Sequence, residues 1–179
     1  TGVTTMLTDV GMDTGDILLA DRVTIGENET AGELFKRLSI LGAKTLERTI
    51  AALEAGTLKR IPQDESLATK CPMLKKEHGK LDFSQTVQAV HDRVRGTNPW
   101  PGAYALLGGQ PVKLHTTRKT GPDFGPAPAG TLRGSAKTGL FVRCCDGWLE
   151  IAELQLPGKK RMDAKSCLAG RPLEGEVLS

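Results

Sequence analysis

One long helical pattern dominates the first third of the chain and limits what that part can fold into. Thr30 is suited to cap a helix, and Glu33 stands three residues later, where it completes a capping box. Apolar residues then recur at near-helical spacing up to Gly56, at Leu34, Leu38, Leu41, Leu46, Ile50 and Leu53. Only two strand-like runs precede this helix, and two strands with one helix cannot bury a core by themselves. We therefore expect residues 1–58 to be the C-terminal part of a larger α/β domain.

The pattern changes after this helix. Residues 59–77 contain two prolines and many charges without a sustained period, which predicts a linker. Ser84 is then placed to cap a short helix that ends at Gly96, with an apolar face formed by Val87, Val90, His91 and Val94. The prolines of the segment Asn98-Pro-Trp-Pro-Gly102 prevent this helix from continuing. Trp100 is expected to pack between the helix and the segment that follows.

Short strand-like runs fill much of the sequence after Gly102. They cover residues 103–107, 112–117, 130–133, 139–145 and 148–156. Asp146-Gly147, between the last two runs, is a hairpin signal because both residues tolerate left-handed backbone. A further short helix is expected to begin at the Asp163 cap and to stop before Gly170. Short strands, frequent glycine and one peripheral helix predict a small antiparallel barrel, so that the chain as a whole is α+β.

Composition and charge narrow the functional classes. No apolar run approaches the roughly 20 residues that span a bilayer, and no leader-like segment opens the chain, so a cytoplasmic location is expected. The four cysteines form no zinc-like spacing with the histidines and are expected to be reduced thiols, with Cys144 and Cys145 on opposite faces. Residues 1–77 carry 10 basic and 12 acidic residues, a net charge of −2, whereas residues 78–179 carry 14 and 9, a net charge of +5. The second half therefore favours an anionic partner, although a solvated basic face also explains its charge.

A turn rich in carboxylates and glycine, Asp9-Val-Gly-Met-Asp13-Thr-Gly-Asp16, lies between the two N-terminal strand-like runs. Aspartate and glycine are ordinary residues of hairpin turns, so a structural role explains the pattern by itself. A carboxylate held at the end of a strand is also suited to proton transfer. Acyl transfer to an amine needs such a group, because the attacking nitrogen loses a proton while the carbonyl oxygen gains charge.

The whole block TGVTTMLTDVGMDTGDILL resembles the segment of the folate-dependent formyltransferases that carries their catalytic aspartate. Four further stretches, in the same order, resemble the methionyl-tRNA formyltransferases of that superfamily: GELFKRLSILGAKTL, RGTNPWPGAY, GQPVKL and ELQLPGKKRM. The resemblance implies transfer of a formyl group from 10-formyltetrahydrofolate to the amino group of initiator methionyl-tRNA, without a metal. It also implies a truncated Rossmann-like α/β formyltransferase domain over residues 1–58, a linker over 59–77 and an OB-like, tRNA-binding barrel over 78–179.

The resemblance assigns roles to particular residues. Asp13, directly before Thr14-Gly15, takes the place of the catalytic aspartate. The neighbouring residues would lie near the pterin of the folate: Asp9, Val10, Gly11 and Met12. The acceptor tRNA would be held by basic residues of the second half: Lys159, Lys160, Arg161, Arg93, Arg95 and Lys113.

The family's other two site residues have no counterpart in this sequence. They are an Asn and a His a short way apart, upstream of the aspartate, and no Asn-x-His occurs among the 179 residues. We therefore expect the chain alone to be inactive. The full-length protein is expected to be a monomer. Two alternatives stay open: another folate-dependent formyltransferase or formyltetrahydrofolate hydrolase relative, and a non-catalytic RNA-binding module.

Overall fold

The chain folds into two units in a computed structural model that describes every residue from Thr1 to Ser179. Unit 1 covers Thr1–Met73 and unit 2 covers Leu74–Ser179. Unit 1 contains two antiparallel strands and one long helix: β1 (Gly2–Met6), β2 (Ile17–Arg22) and α1 (Ala31–Glu54). None of the helices of the chain combines the length and the apolar character needed to cross a bilayer.

Helix α1 begins where the capping pattern predicts. The Thr30 hydroxyl accepts a hydrogen bond from the Glu33 amide at 3.3 Å, and the Glu33 carboxylate accepts one from the Thr30 amide at 2.9 Å. Two amides that the first helical turn leaves without backbone partners are satisfied in this way. The predicted capping box is therefore confirmed.

The face of α1 that packs on the two strands is more polar than the leucine spacing predicts. Thr45 and Thr49 are its buried residues. The Thr45 hydroxyl donates to the Asp21 carboxylate of β2 at 2.7 Å, and the Thr49 hydroxyl lies 2.8 Å from that of Thr5 on β1. These hydroxyl contacts turn part of the predicted apolar face to solvent. Three residues of that face are about half exposed: Leu46, Ile50 and Leu53.

Unit 2 is built on one six-stranded antiparallel sheet. The strands are β3 (Ala103–Leu107), β4 (Gln110–Arg118), β5 (Leu132–Ser135), β6 (Gly139–Arg143), β7 (Trp148–Gln155) and β8 (Met162–Asp163). The longer strands run in the order β3-β4-β7-β6-β5, and the short β8 pairs with β7. All five strands expected from the sequence are confirmed to within two or three residues, and β8 is additional.

Strands β3 and β5 lie at the two ends of the strand order and do not pair with each other. The expected closed barrel is therefore not confirmed. Residues 175–179 carry no strand pattern in the sequence, yet they lie along both edges of the sheet. At one edge, Leu106 and Ser179 exchange two backbone hydrogen bonds, of 2.7 and 2.9 Å. At the other, the Leu132 amide donates to the Glu176 carbonyl at 2.7 Å, and the Leu178 amide donates to the Gly130 carbonyl at 2.9 Å. The edge strands β3 and β5 therefore share one partner segment.

Two helices, α2 (Val87–Gly96) and α3 (Ala164–Gly170), complete unit 2. Asp163 caps α3 as predicted, through a hydrogen bond from the Ser166 amide. The cap of α2 is Thr86 and not Ser84, because the Thr86 hydroxyl accepts from the Ala89 amide while Ser84 bonds to Asp82. The predicted inner face of α2 is confirmed, since three of its residues are buried in the structure and the fourth is partly buried: Val90, His91, Val94 and Val87.

Two turns of unit 2 differ in detail from expectation. The hairpin at Asp146-Gly147 is present, but neither residue has left-handed backbone, and the Asp146 carboxylate accepts the Val87 amide at the start of α2 at 2.7 Å.

Trp100 was expected to be a packing residue, and this prediction is wrong, since its side chain is 55% exposed. The loop is tied to β4 by Asn98, whose side-chain amide donates to the His115 carbonyl at 3.0 Å.

The cysteines divide into two buried and two exposed thiols. Cys144 and Cys145 differ as predicted, the first buried and the second exposed. Burial raises the pKa of the Cys144 thiol to about 12, which removes its nucleophilic form at neutral pH.

Candidate functional site

The carboxylate turn between β1 and β2 is closed by backbone contacts. The Leu7 amide donates to the Asp16 carbonyl at 3.0 Å. Gly15 lies buried beside this closure, and a Cβ atom at Gly15 would stand 1.9 Å from the Leu7 carbonyl oxygen. The turn can therefore close only with glycine at position 15.

Asp9 and Asp13, two of the three aspartates of the turn, are used differently. The Asp9 carboxylate accepts from the Val10 amide at 2.6 Å and from the Thr14 hydroxyl at 3.4 Å, so it bonds within the turn. Asp13 has a φ of 57°, the one left-handed residue of the chain that is not glycine. Its side chain is exposed and forms no hydrogen bond or ion pair. Of these two carboxylates, that of Asp13 is the one open to a ligand.

The residues predicted to lie near a pterin form the exposed rim of the turn. Val10 and Met12 are fully solvent-exposed apolar side chains, on either side of Gly11. No histidine lies in unit 1, since all three histidines of the chain belong to unit 2: His78, His91 and His115. The structure thus places the predicted catalytic and folate-contacting residues together, without an imidazole from the same unit.

The segment after α1 returns to this turn, a contact that no pattern in the sequence predicts. Ile61 pairs with Ile17 through two backbone hydrogen bonds, of 2.8 and 3.0 Å. Two residues later, the Gln63 side-chain nitrogen donates to the Asp13 carbonyl at 2.8 Å and to the Gly15 carbonyl at 2.7 Å. No sequence signal identified Gln63, because its partners lie about 50 positions away in a region that was assigned to a linker.

The six predicted tRNA contacts fall into two groups. Three arginines already bond to other parts of unit 2: Arg161 pairs with Glu153, Arg95 with Asp92 at 2.7 Å, and Arg93 donates to the His78 carbonyl at 3.1 Å. The three lysines are exposed and form no ion pair: Lys113, Lys159 and Lys160. The lysines are therefore the cations that can approach an anion without losing a protein partner.

One of these lysines lies in a polar row on the sheet, and a second lies in the loop beside it. Lys113 of β4 lies opposite Tyr104 of β3 and Gln155 of β7, so that the three side chains share a face. The Gln155 side chain also donates to the Lys159 carbonyl at 2.9 Å, which fixes the loop that follows β7 beside the row. We call these four residues the outer row.

His115 lies beside Gln155 of the outer row. Its ring nitrogen lies 3.3 Å from the Gln155 side-chain oxygen. Partial burial lowers the pKa of His115 below its ordinary value, and the charges of Arg161 and Lys113 add to this shift. The hydrogen bond to Gln155 and the charge of Glu153 oppose it, so burial is the main cause of the lowered pKa.

Comparison with known sequences gives a consistent set of relatives. The sequence profile described as the formyl transferase C-terminal domain matches residues 73–172. A methionyl-tRNA formyltransferase from Ruminiclostridium cellulolyticum is 43% identical, covering 99% of this chain and 58% of the relative. Those of Geobacter metallireducens and Pelobacter propionicus are 45% and 47% identical, over 97% and 99% of this chain and 55% of each relative. The resemblance seen in the sequence is confirmed, and the chain spans somewhat more than half the length of these relatives.

Solved structures show the same fold. HypX from Aquifex aeolicus, in complex with tetrahydrofolic acid, superposes with a TM-score of 0.66 over 97% of this chain and 31% of that chain. The N-formyltransferase from Helicobacter canadensis, in complex with folinic acid and dTDP-3-aminofucose, has a TM-score of 0.66 over 84% of this chain and 54% of that chain. Both are 18% identical to this sequence, so the likeness concerns the mixed α/β architecture.

Proposed function

This chain belongs to the formyl transferase family, whose C-terminal domain it contains, and we propose that it is the C-terminal portion of a methionyl-tRNA formyltransferase. That enzyme would transfer a formyl group from 10-formyltetrahydrofolate to the amino group of initiator methionyl-tRNA at the start of translation. The observation that carries the proposal is the similarity to methionyl-tRNA formyltransferases over nearly the whole chain. Unit 1 would supply part of the catalytic domain and unit 2 the RNA-binding domain.

Asp13 would be the catalytic carboxylate. The attacking amine must lose a proton, and the formyl oxygen gains charge that a donor must stabilise. A carboxylate beside an imidazole orients that ring and stabilises its protonated form, so one pair serves both needs. The exposed, unpaired carboxylate of Asp13 is free to take this role, whereas that of Asp9 is held within the turn. The imidazole and the Asn would come from outside these 179 residues.

The folate donor would lie against the rim of the turn. Val10 and Met12 offer exposed apolar surface for a flat ring, and the backbone of residues 9–12 offers hydrogen-bonding groups. The bound tetrahydrofolic and folinic acids named for the two structural neighbours support a folate at this fold.

A hybrid enzyme tests this proposal. The chain would be joined behind the N-terminal portion of the Ruminiclostridium cellulolyticum relative, and formylation of methionyl-tRNA measured with 10-formyltetrahydrofolate. Asp13→Asn is expected to lower kcat by about 10²- to 10⁴-fold, because the neutral amide cannot stabilise the protonated imidazole. Asp16→Asn, in the same turn, is the matched control and should keep activity. Equal activity of both variants would refute the assignment of Asp13, and the 179-residue chain alone is expected to be inactive.

The outer row and its neighbouring lysines would hold the acceptor RNA. Phosphate contacts by lysine position a nucleic acid and weaken steeply with salt. Lys113 lies opposite Gln155, which bonds to the Lys159 carbonyl, and Tyr104 supplies an aromatic ring in the same row. Exposed Trp100 lies in the loop that Asn98 ties to β4 and could supply a second ring. The proposed surface would thus combine lysines with aromatic groups that can stack on bases.

The salt dependence of RNA binding tests this surface. Initiator methionyl-tRNA would be titrated with the 179-residue chain at several salt concentrations. Each of Lys113→Gln, Lys159→Gln and Lys160→Gln is expected to lower the slope of log K against log salt by about 0.7 to 0.9. Lys137→Gln, in the turn between β5 and β6, is the control and should leave the slope unchanged. An unchanged slope in all three variants would refute the proposed surface.

We further propose that residues 175–179, by pairing with both edges, close the sheet of unit 2 into an OB-like barrel. We also propose that the full-length enzyme is a monomer. Gel filtration of the hybrid enzyme with light scattering tests the second point. A mass twice that of one chain would contradict it.

A further inference from the structure

We propose that Gln63 is a positioning residue that holds Asp13 in its reactive orientation, an inference that rests on the proposed catalytic role of Asp13. Gln63 lies after helix α1, in a segment that carries no recognised motif. Its one side-chain amide reaches two carbonyl oxygens of the carboxylate turn, those of Asp13 and Gly15. Both distances, 2.8 and 2.7 Å, are those of well-formed hydrogen bonds.

The backbone at Asp13 gains from such support. A φ of 57° lies in the left-handed region, which aspartate tolerates better than most residues with a Cβ atom but which still costs free energy. The side chain of Asp13 forms no hydrogen bond or ion pair that would stabilise this conformation. Gln63 instead holds the carbonyl oxygens on both sides of Thr14, so the peptide groups around Asp13 have fixed directions.

Gln63 is itself held in place from two sides. The neighbouring Ile61 pairs with Ile17 of β2 through two hydrogen bonds, and Asp64 accepts the Ser66 amide at 3.0 Å where a short 3₁₀ turn begins. The glutamine therefore extends from a fixed backbone. Its loss would leave two turn carbonyls without their donor and Asp13 free to leave the left-handed conformation. A displacement of about 1 Å at a catalytic group is enough to lower a rate by up to two orders of magnitude.

Two substitutions separate hydrogen bonding from packing. Gln63→Met keeps the length and volume of the side chain but removes both donors, and Gln63→Glu places a carboxylate against the two carbonyls. Gln110, an exposed glutamine of unit 2, gives the matched control pair Gln110→Met and Gln110→Glu. In the hybrid enzyme, both Gln63 variants are expected to lower kcat by about 10- to 100-fold while KM for methionyl-tRNA stays within about twofold.

A second measurement does not depend on catalysis. In the 179-residue chain, nuclear magnetic resonance should show slow hydrogen exchange of the Gln63 side-chain amide and of the Leu7 amide, which closes the turn. Gln63→Met should lower the protection of Leu7 at least about tenfold. Rapid exchange of the Gln63 amide in the unmodified chain would overturn the proposal.

The outcomes distinguish this inference from the function on which it rests. If Asp13→Asn abolishes formylation and the Gln63 variants keep full kcat, the positioning role is refuted and the catalytic assignment stands. If Asp13→Asn stays active, the catalytic assignment is refuted, and the exchange data then decide only whether Gln63 orders the turn. Loss of kcat with a large rise in KM would also contradict positioning, because it would indicate general damage to the site.

Discussion

Replacing Leu178 by alanine is expected to destabilise unit 2 by about 3 kcal/mol. Leu178 is 4% exposed and belongs to the hydrophobic core, although it lies in the segment that borders the sheet edges. Truncation of a buried leucine to alanine costs about 2 to 5 kcal/mol, and a site at a sheet edge can relax into part of the cavity. We therefore take a value from the lower half of that range. The adjacent Val177 is 50% exposed, so Val177→Ala should cost no more than about 0.5 kcal/mol.

Urea unfolding followed by tryptophan fluorescence measures both variants. The two tryptophans, Trp100 and Trp148, lie in unit 2, so the signal is specific to that unit. With a slope of about 2 kcal/mol per molar urea, Leu178→Ala should lower the midpoint by about 1.5 M, and Val177→Ala by about 0.25 M. A loss below about 1 kcal/mol for Leu178→Ala, or equal losses for the two variants, would show that the segment does not pack into the core.

Three further predictions concern ionisable groups. At pH 8 a thiol reagent should modify the exposed Cys71 and Cys145 rapidly. The buried Cys144 and Cys167 should react only after unfolding. The hydrogen bond from Thr45 and the nearby Arg48 lower the pKa of Asp21. The ionised Asp21 therefore stabilises the folded state above about pH 4, and this contribution is lost as the pH falls through the folded-state pKa. The helical circular dichroism signal should therefore fall less steeply below pH 4 in Asp21→Asn than in the unmodified chain. His115 should titrate below its ordinary pKa by nuclear magnetic resonance and shift upward when RNA binds, because a phosphate favours the imidazolium.

Local signals in the sequence predicted the local structure well. The capping box of α1, the Asp163 cap and the hairpin at Asp146-Gly147 each involve residues a few positions apart, and each is present. Such contacts depend on backbone geometry that the sequence itself specifies. The likeness to the formyl transferases was also readable, because its motifs are contiguous.

The features that the sequence did not predict involve partners that are distant in sequence. Thr45 is buried because Asp21 of β2 accepts its hydroxyl, and no helical pattern can show that. Likewise, Arg161 looked like a free cation, but Glu153 of β7 pairs with it. Trp100 was expected to pack between α2 and the following segment, yet its side chain is exposed and Asn98 makes the contact with β4. Gln63 was missed for the same reason, since its function is defined by a turn about 50 residues earlier.

The pairing of residues 175–179 with both edges of the sheet sets an order of events on the ribosome. While the chain is being synthesised, β3 and β5 have emerged but their shared partner has not, so each presents unpaired backbone groups. Both edges can be paired only after Ser179 has left the exit tunnel. Loss of residues 175–179 would therefore leave two exposed sheet edges in unit 2, and such a product should aggregate or be degraded.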